Sequence, residues 1–115
     1  MTIQLKRAYD EVGNDGYRVL VDRMWPRGVA KSELRADEWL KEVAPSDELR
    51  KSYHDGSLSW GQFRRRYMKE LTGNRDRLRP LARRARGDTV TLLFSSRDEK
   101  HNNAEVVRQY LHMLQ

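Results

Sequence analysis

Two short apolar runs constrain the fold of this chain most: YRVLVDR at 17–23 and TVTLLF at 89–94. Their continuous runs of valine and leucine are typical of strands that are buried on both faces of a sheet. The segment between them carries helical patterns, and a helical crossover between two strands of one sheet makes those strands parallel. A further strand is predicted at 3–9, IQLKRAY. The sequence therefore predicts a single α/β domain over 1–115, with a largely parallel sheet of three strands or slightly more.

Helical periodicity predicts four to five helices around this sheet. Apolar side chains recur every three or four residues in segments that begin at Ala36, Trp60, Leu78 and Ala104. The first of these segments spans 36–44 and precedes a proline, which ends a helix. Side chains that cap helix N-termini precede the other predicted helices. They are Ser46, Ser59 with Gln62, and Asn102 with Glu105.

Composition excludes several classes of chemistry. The chain has no cysteine, so it has no disulfide, no catalytic thiol and no zinc–thiolate site. No glycine-rich phosphate loop or zinc-ligand spacing is present, so neither a cofactor nor a metal is predicted. The N-terminus lacks a signal-peptide pattern, and no apolar run is long enough for a membrane helix, so a cytoplasmic location without membrane contact is expected. The net charge of +6 favours an anionic partner.

Two polar loops follow the two buried runs, DRMWPRG at 22–28 and SSRDEKHNN at 95–103. The carboxyl ends of parallel strands meet at one edge of a sheet, where α/β proteins usually bind ligands. We therefore expect a site for a small phosphate- or carboxylate-bearing ligand there. The residues expected to bind it are Arg23, Trp25, Arg27, Ser95, Arg97, Asn102 and Asn103. The candidates for acid–base catalysis are Asp22, Asp98 and His54.

Each of these residues also has a structural interpretation, and the sequence does not decide whether the chain is an enzyme. Arg27, held between Pro26 and Gly28, is suited to clamp an anion, but it can equally pair with an acid of either loop. Trp25 can stack on a ligand or cover the core. His54, expected in a loop between helices, can be an acid–base group or a hydrogen-bonded structural residue.

Arginine-rich stretches supply an alternative function. Those at 64–66 and 75–86 are expected on the solvent faces of two helices, where they could follow a nucleic-acid backbone. The residues in question are Arg64, Arg65, Arg66, Arg83 and Arg84. Another alternative is a protein-interaction module or homodimer, with Trp25 or Tyr17 at the interface. The oligomeric state is left open by the sequence.

Several blocks together resemble the YeaO-like branch of the DUF488 family of bacterial and archaeal proteins. They are IQLKRAYD, DGYRVLVDRMWPRGV, WLKEVAPSDELRKSYH, FRRRYMKEL and TLLFSSRDEKHNNAEVV, in this order. The resemblance covers nearly the whole chain and implies a small cytoplasmic α/β domain. It places the family's recurrent polar residues on Asp22, Arg23, Trp25, Arg27, His54, Asp98 and Asn103, without assigning them catalytic roles.

Overall fold

A computed structural model describes all 115 residues and shows a four-stranded parallel sheet. The strands are β1 (Thr2–Arg7), β2 (Tyr17–Leu20), β3 (Glu38–Trp39) and β4 (Thr89–Phe94), in the spatial order β1-β4-β2-β3. Strand β4 lies between β1 and β2 and is parallel to both, with Leu92 paired to Leu5 and to Val19. This position explains why TVTLLF is apolar on both faces. It also confirms the parallel α/β architecture, with one strand more than the minimum of three.

Five α-helices and one short 3₁₀ turn complete the domain. The helices are α1 (Lys31–Leu34), α2 (Asp47–His54), α3 (Trp60–Thr72), α4 (Arg75–Arg84) and α5 (Asn103–Met113). The predicted caps are confirmed at three helices. Ser46 accepts a hydrogen bond from the backbone of Leu49, Ser59 and Gln62 form a reciprocal capping box, and Asn102 accepts one from Glu105. No helix in the domain combines the length and the apolar composition that a membrane crossing requires.

The prediction of a helix over 36–44 is wrong. This segment forms strand β3 and a 3₁₀ turn at Lys41–Val43 instead. The backbone N–H of Asp37 donates to the Arg18 carbonyl at 2.7 Å, and that of Leu40 donates to the Leu20 carbonyl at 2.9 Å, so the segment extends the sheet beyond β2. Pairing with a strand that is distant in sequence therefore prevails over the helical spacing of the apolar residues.

The two faces of the sheet are covered unequally. A cluster of 21 buried residues packs α2, α3, α4 and α5 against one face. The other face carries a cluster of four, Ala8, Leu20, Leu34 and Leu93, to which α1 and the 22–30 loop contribute. The carboxyl edge therefore lies between a thick helical layer and a thin cover made of loop and one short helix.

A buried ion pair fixes the start of β2. The Arg18 guanidinium donates to Asp15 and to the carbonyl of Leu34, and Lys6 Nζ lies 3.1 Å from Asp15 Oδ1. Burial raises the pKa of Asp15, but hydrogen bonds from Gly13, Lys6 and Arg18 outweigh it and leave that pKa below its usual value. None of these three residues lines the cavity described below.

Candidate functional site

Asp22 joins three elements at the carboxyl edge of the sheet. Its Oδ2 accepts a hydrogen bond from the Ser95 backbone N–H at 2.8 Å, and its Oδ1 accepts one from Asn103 Nδ2 at 2.9 Å. Asn103 Nδ2 also donates to the Val21 carbonyl at 3.0 Å. These contacts tie the chain after β2 to the chain after β4 and to the first turn of α5. The two polar loops therefore meet, as the sequence predicts.

The environment of Asp22 favours its neutral form. Burial raises the pKa of this carboxyl, and the hydrogen bonds from Asn103 and Ser95 oppose the rise without cancelling it. Both carboxylate oxygens already accept a hydrogen bond from the protein. The geometry of Asp22 is therefore that of a structural junction whose carboxyl group faces a cavity.

A cavity of about 670 Å³ opens above this junction, and we call it the carboxyl-edge cavity. One side is formed by the loops after β2 and β4 and the start of α5. The opposite side is formed by α2 and the first turn of α3. Its charged lining consists of three arginines, Arg23, Arg50 and Arg97, and two acids, Asp22 and Asp47.

The three guanidinium groups of the cavity are only partly paired. Arg23 reaches the carbonyls of Ala44 and Pro45 at 3.4 and 3.3 Å, and its Nε lies 4.0 Å from Asp47. Arg50 lies 3.6 Å from the same Asp47 oxygen. Arg97 is exposed and makes neither a side-chain hydrogen bond nor a salt bridge within the protein. Three cations thus share the cavity with one exposed acid and one half-buried acid.

Four aromatic rings line one side of the cavity in a continuous series, which we call the aromatic row: Tyr53, Phe63, Trp60 and His101. Tyr53 and Phe63 stack with their centroids 4.7 Å apart, and Phe63 and Trp60 stack at 5.6 Å. The exposed imidazole of His101 stacks on Trp60 at 4.7 Å, with the ring planes inclined by 15°. The row therefore contains the buried ring of Phe63 and ends at the exposed ring of His101.

Six of the residues expected from the sequence line the carboxyl-edge cavity. They are Asp22, Arg23, His54, Arg97, Asn102 and Asn103. The sequence predicts His54 in a loop between helices, but it is the last residue of α2. Asn102 and Asn103 mark the first turn of α5, whose free N–H groups favour a negative charge nearby.

Four of the expected residues do not line the cavity. Trp25 packs against the smaller cluster, and its indole N–H donates to Val29. Arg27 is exposed and makes neither a hydrogen bond nor an ion pair through its side chain. Ser95 Oγ is buried without a hydrogen-bond partner. Asp98 is exposed and accepts hydrogen bonds from the N–H groups of His101 and Lys100, which lower its pKa and shape the loop.

Several cavity residues are not identified by sequence reasoning, chiefly Arg50, Tyr53, Trp60 and Phe63. Arg50, Tyr53 and His54 follow an i, i+3, i+4 spacing, which places them on one face of α2. That spacing is the only local signal for these three residues. It does not indicate that α2 lies over the carboxyl edge. Trp60 belongs to the apolar face of α3, but it is only partly buried and also lines the cavity.

Most arginines of the two arginine-rich helices point away from the main core. Arg65, Arg66 and Arg83 are exposed and have no acidic partner, whereas Arg64 is half-buried and donates to Gln109 at 2.6 Å. Arg84 lies 3.9 Å above the Tyr17 ring and 3.6 Å from Asp88. Tyr17, one of the two residues considered for an interface, is thus covered within the domain.

Comparison with known proteins agrees with the sequence blocks. The family model described as "Inactive DUF488-N3 subclade" matches residues 2–114. The chain belongs to the DUF488 family. This DUF488 chain is 44% identical to the Uncharacterized protein YeaO of Escherichia coli (strain K12) over 115 residues, which cover 99% of this chain and 100% of that protein. The YeaO-like branch is thereby confirmed.

Mycobacterial proteins extend the same DUF488 relationship. The chain is 38% identical over 112 residues to the Uncharacterized protein Rv3073c of Mycobacterium tuberculosis (strain ATCC 25618 / H37Rv), covering 95% of this chain and 92% of that protein. The Uncharacterized protein Mb3100c of Mycobacterium bovis is similar to the same degree. No solved structure matches the chain.

Proposed function

We propose that this DUF488 domain binds a small anionic ligand in the carboxyl-edge cavity. The observation that carries the proposal is the convergence of three arginines from three different segments on one cavity of about 670 Å³. Arg23 comes from the loop after β2, Arg50 from α2 and Arg97 from the loop after β4. Such cavities have the size of typical small-molecule sites, and they occur at this edge of α/β sheets.

Arg50 and Arg97 are the principal anion-binding residues in this proposal. A guanidinium group binds phosphate or carboxylate with two parallel hydrogen bonds, so an arginine without a strong internal partner is well suited to an external anion. Arg97 has no partner, and Arg50 has only an exposed acid at 3.6 Å. Arg23 is oriented by the carbonyls of Ala44 and Pro45 and lines the same cavity.

Recognition without turnover fits this site better than hydrolase or transferase chemistry. The family model that matches the chain is described as an inactive subclade. Asp22, the acid nearest the centre of the junction, has both oxygens engaged by the protein, which supports a structural role. His54 lines the cavity but makes no hydrogen bond with an acid that would orient it as a base.

The test compares two charge-matched double variants. Arg50→Gln with Arg97→Gln removes two cations of the cavity, whereas Arg75→Gln with Arg79→Gln removes two exposed cations of α4 that lie outside it. Thermal unfolding is measured with inorganic phosphate, ribose 5-phosphate and citrate. The proposal expects at least one of these anions to stabilise the wild type and the α4 variant but not the cavity variant. Equal stabilisation of all three proteins, or of none, would contradict it.

The exposed arginines of α3 and α4 favour nucleic-acid binding as a second candidate function. Arg65, Arg66 and Arg83 are unpaired cations on the outer surface, and each could neutralise a backbone phosphate. Replacing all three by glutamine should weaken oligonucleotide binding and flatten its salt dependence by about one unit of slope for each arginine that pairs with a phosphate. Binding that is insensitive to salt would exclude this candidate.

A further inference from the structure

The aromatic row gives the carboxyl-edge cavity a second recognition element beside its cations. Phe63 is buried, Trp60 and Tyr53 are partly buried, and His101 is exposed at the outer end of the row. All four line the same cavity as Arg50 and Arg97. The faces of stacked rings are negative and offer no donors to an oxyanion, so a simple anion such as phosphate gains nothing from them.

Stacked rings recognise other planar rings. Bases stack on tryptophan and histidine side chains largely without regard to sequence, because every base presents a π-face. The nearly parallel arrangement of His101 and Trp60, with 15° between their planes, shows that this end of the row already accommodates face-to-face stacking. An incoming base can extend the row beyond the exposed imidazole of His101.

We propose that the ligand is a nucleoside phosphate, whose base stacks on the Trp60–His101 end of the aromatic row and whose phosphate binds Arg50 and Arg97. This inference rests on the anion-binding function proposed above and names the ligand class. The same chemistry is presented by a free mononucleotide and by an unstacked nucleotide of a single strand. The exposed Asp47 adds hydrogen-bond acceptors for ribose hydroxyls or base edges at the cavity.

The charge pattern of the cavity agrees with this ligand class. Asp47 lies between Arg23 and Arg50, 4.0 and 3.6 Å from them. A carboxylate at this position repels a ligand that is anionic throughout, such as citrate. It accepts a hydrogen bond from a ligand that also carries hydroxyl or amino donors, as a nucleotide does.

The experiment measures the affinity of four probes by calorimetry: adenosine 5′-monophosphate, uridine 5′-monophosphate, ribose 5-phosphate and inorganic phosphate. The inference expects the two nucleotides to bind roughly tenfold or more tightly than ribose 5-phosphate, which shares their sugar and phosphate but lacks the base. His101→Ala should reduce this preference and leave the affinity for ribose 5-phosphate unchanged. Arg97→Gln should weaken all three organic phosphates together.

Controls separate the two proposals. His112→Ala removes an exposed histidine of α5 outside the cavity and should retain the nucleotide preference. A second pair of variants tests stacking if His101→Ala alone has little effect. Trp60→Phe keeps an aromatic ring at the same position, so it should weaken nucleotide binding less than Trp60→Leu. Equal affinity for nucleotides and ribose 5-phosphate would overturn the nucleotide inference and leave the anion site standing. Absence of binding by all four probes would overturn both.

A six-nucleotide single strand distinguishes the two sources of the ligand. Competition between the strand and adenosine 5′-monophosphate, with the same dependence on His101, would support the shared site and assign it to nucleotides within nucleic acid. Binding of the mononucleotide alone would support a free nucleotide. A strand that binds equally to wild type, His101→Ala and Arg97→Gln, while mononucleotides do not bind, would overturn the inference and assign strand binding to the outer arginines.

Discussion

Asp22 shows how a single residue organises the carboxyl edge. The sequence places it correctly, directly after a buried strand, and predicts that its loop meets the loop after TVTLLF. Its partners could not be predicted, because the Ser95 N–H and the Asn103 amide lie more than 70 positions away along the chain. Only the parallel register of β2 and β4 brings them within hydrogen-bond distance. The site's location was thus predictable, whereas the hydrogen bonds at its floor were not.

Removal of the Asn103 amide should destabilise the domain in a pH-dependent way. Asn103→Ala leaves Asp22 Oδ1 and the Val21 carbonyl each without a donor, while Asp22 Oδ2 keeps the Ser95 N–H, and we expect this loss to cost about 1–3 kcal/mol of unfolding free energy near pH 7. The lost hydrogen bond favours the charged form of Asp22, so its pKa in the folded state, already raised by burial, should rise further. The measurement is urea unfolding from about pH 4 to about pH 8.

The sign of this pH dependence follows from proton linkage. An acid whose folded-state pKa exceeds its unfolded value binds more protons when folded, so its contribution to stability falls as pH rises through that interval. The difference in stability between wild type and Asn103→Ala should therefore be larger near pH 7 than near pH 4. Met113→Ala, an exposed change on the same helix that removes no titratable group, is the control. A difference that is constant with pH would show that Asn103 does not stabilise the charge on Asp22.

Individual elements were predictable where their local signals agree with the tertiary structure. Ser59 and Gln62 predict the start of α3, and the apolar spacing of Phe63, Tyr67 and Leu71 matches the face that the core buries. The 36–44 segment has an equally regular spacing but forms β3 and a 3₁₀ turn. There the edge of β2 offers unpaired backbone groups, and the hydrogen bonds from Asp37 and Leu40 satisfy them. Periodicity alone contains no information about such an open edge.

The capping box at the start of α3 should contribute measurably to stability. Ser59 Oγ accepts the Gln62 N–H at 3.2 Å, and Gln62 Oε1 accepts the Ser59 N–H at 2.9 Å. Ser59→Ala should lower the free energy of unfolding by about 1 kcal/mol, whereas Ser59→Gly should lower it by only a few tenths, because glycine is itself tolerated at an N-cap. Urea unfolding of the two variants against wild type provides the comparison. No loss of stability in Ser59→Ala would mean that the side-chain hydrogen bond contributes nothing.

At the scale of the whole molecule, the candidate site arises from the way the helices cover the sheet. The loops of the site are positioned by the parallel pairing of β2 and β4, which the sequence predicts. The remaining wall, with Arg50 and the three rings of the aromatic row other than His101, depends on α2 and the start of α3 lying over the carboxyl edge. The amphipathic patterns determine which face of each helix is buried but not where the helix is positioned along the sheet. Local sequence patterns therefore predict Arg27 as an anion-binding residue, whereas the cavity is lined by Arg50 and not by Arg27.

The unequal cover of the two sheet faces leads to a prediction about local opening. The helical face buries 21 residues in one cluster, whereas α1 and the 22–30 loop help to form a cluster of only four. Segments with few buried apolar contacts open at a smaller free-energy cost than the central core. Strand β3 is a two-residue edge strand with neither side chain buried, so the amides of Asp37 and Leu40 that hold this segment to β2 should exchange with deuterium faster than that of Leu92 in β4, by roughly tenfold or more.

Native-state hydrogen exchange followed by NMR measures this difference residue by residue. Low denaturant concentrations should hardly change exchange at Asp37 and Leu40, because a local opening exposes little surface, while exchange at Leu92 should accelerate in proportion to global unfolding. Asp37, Leu40 and Leu92 exchanging at one common rate would contradict the prediction. In that case the β3 segment would open only together with the central core, and the carboxyl-edge cavity would be supported by a single cooperative unit.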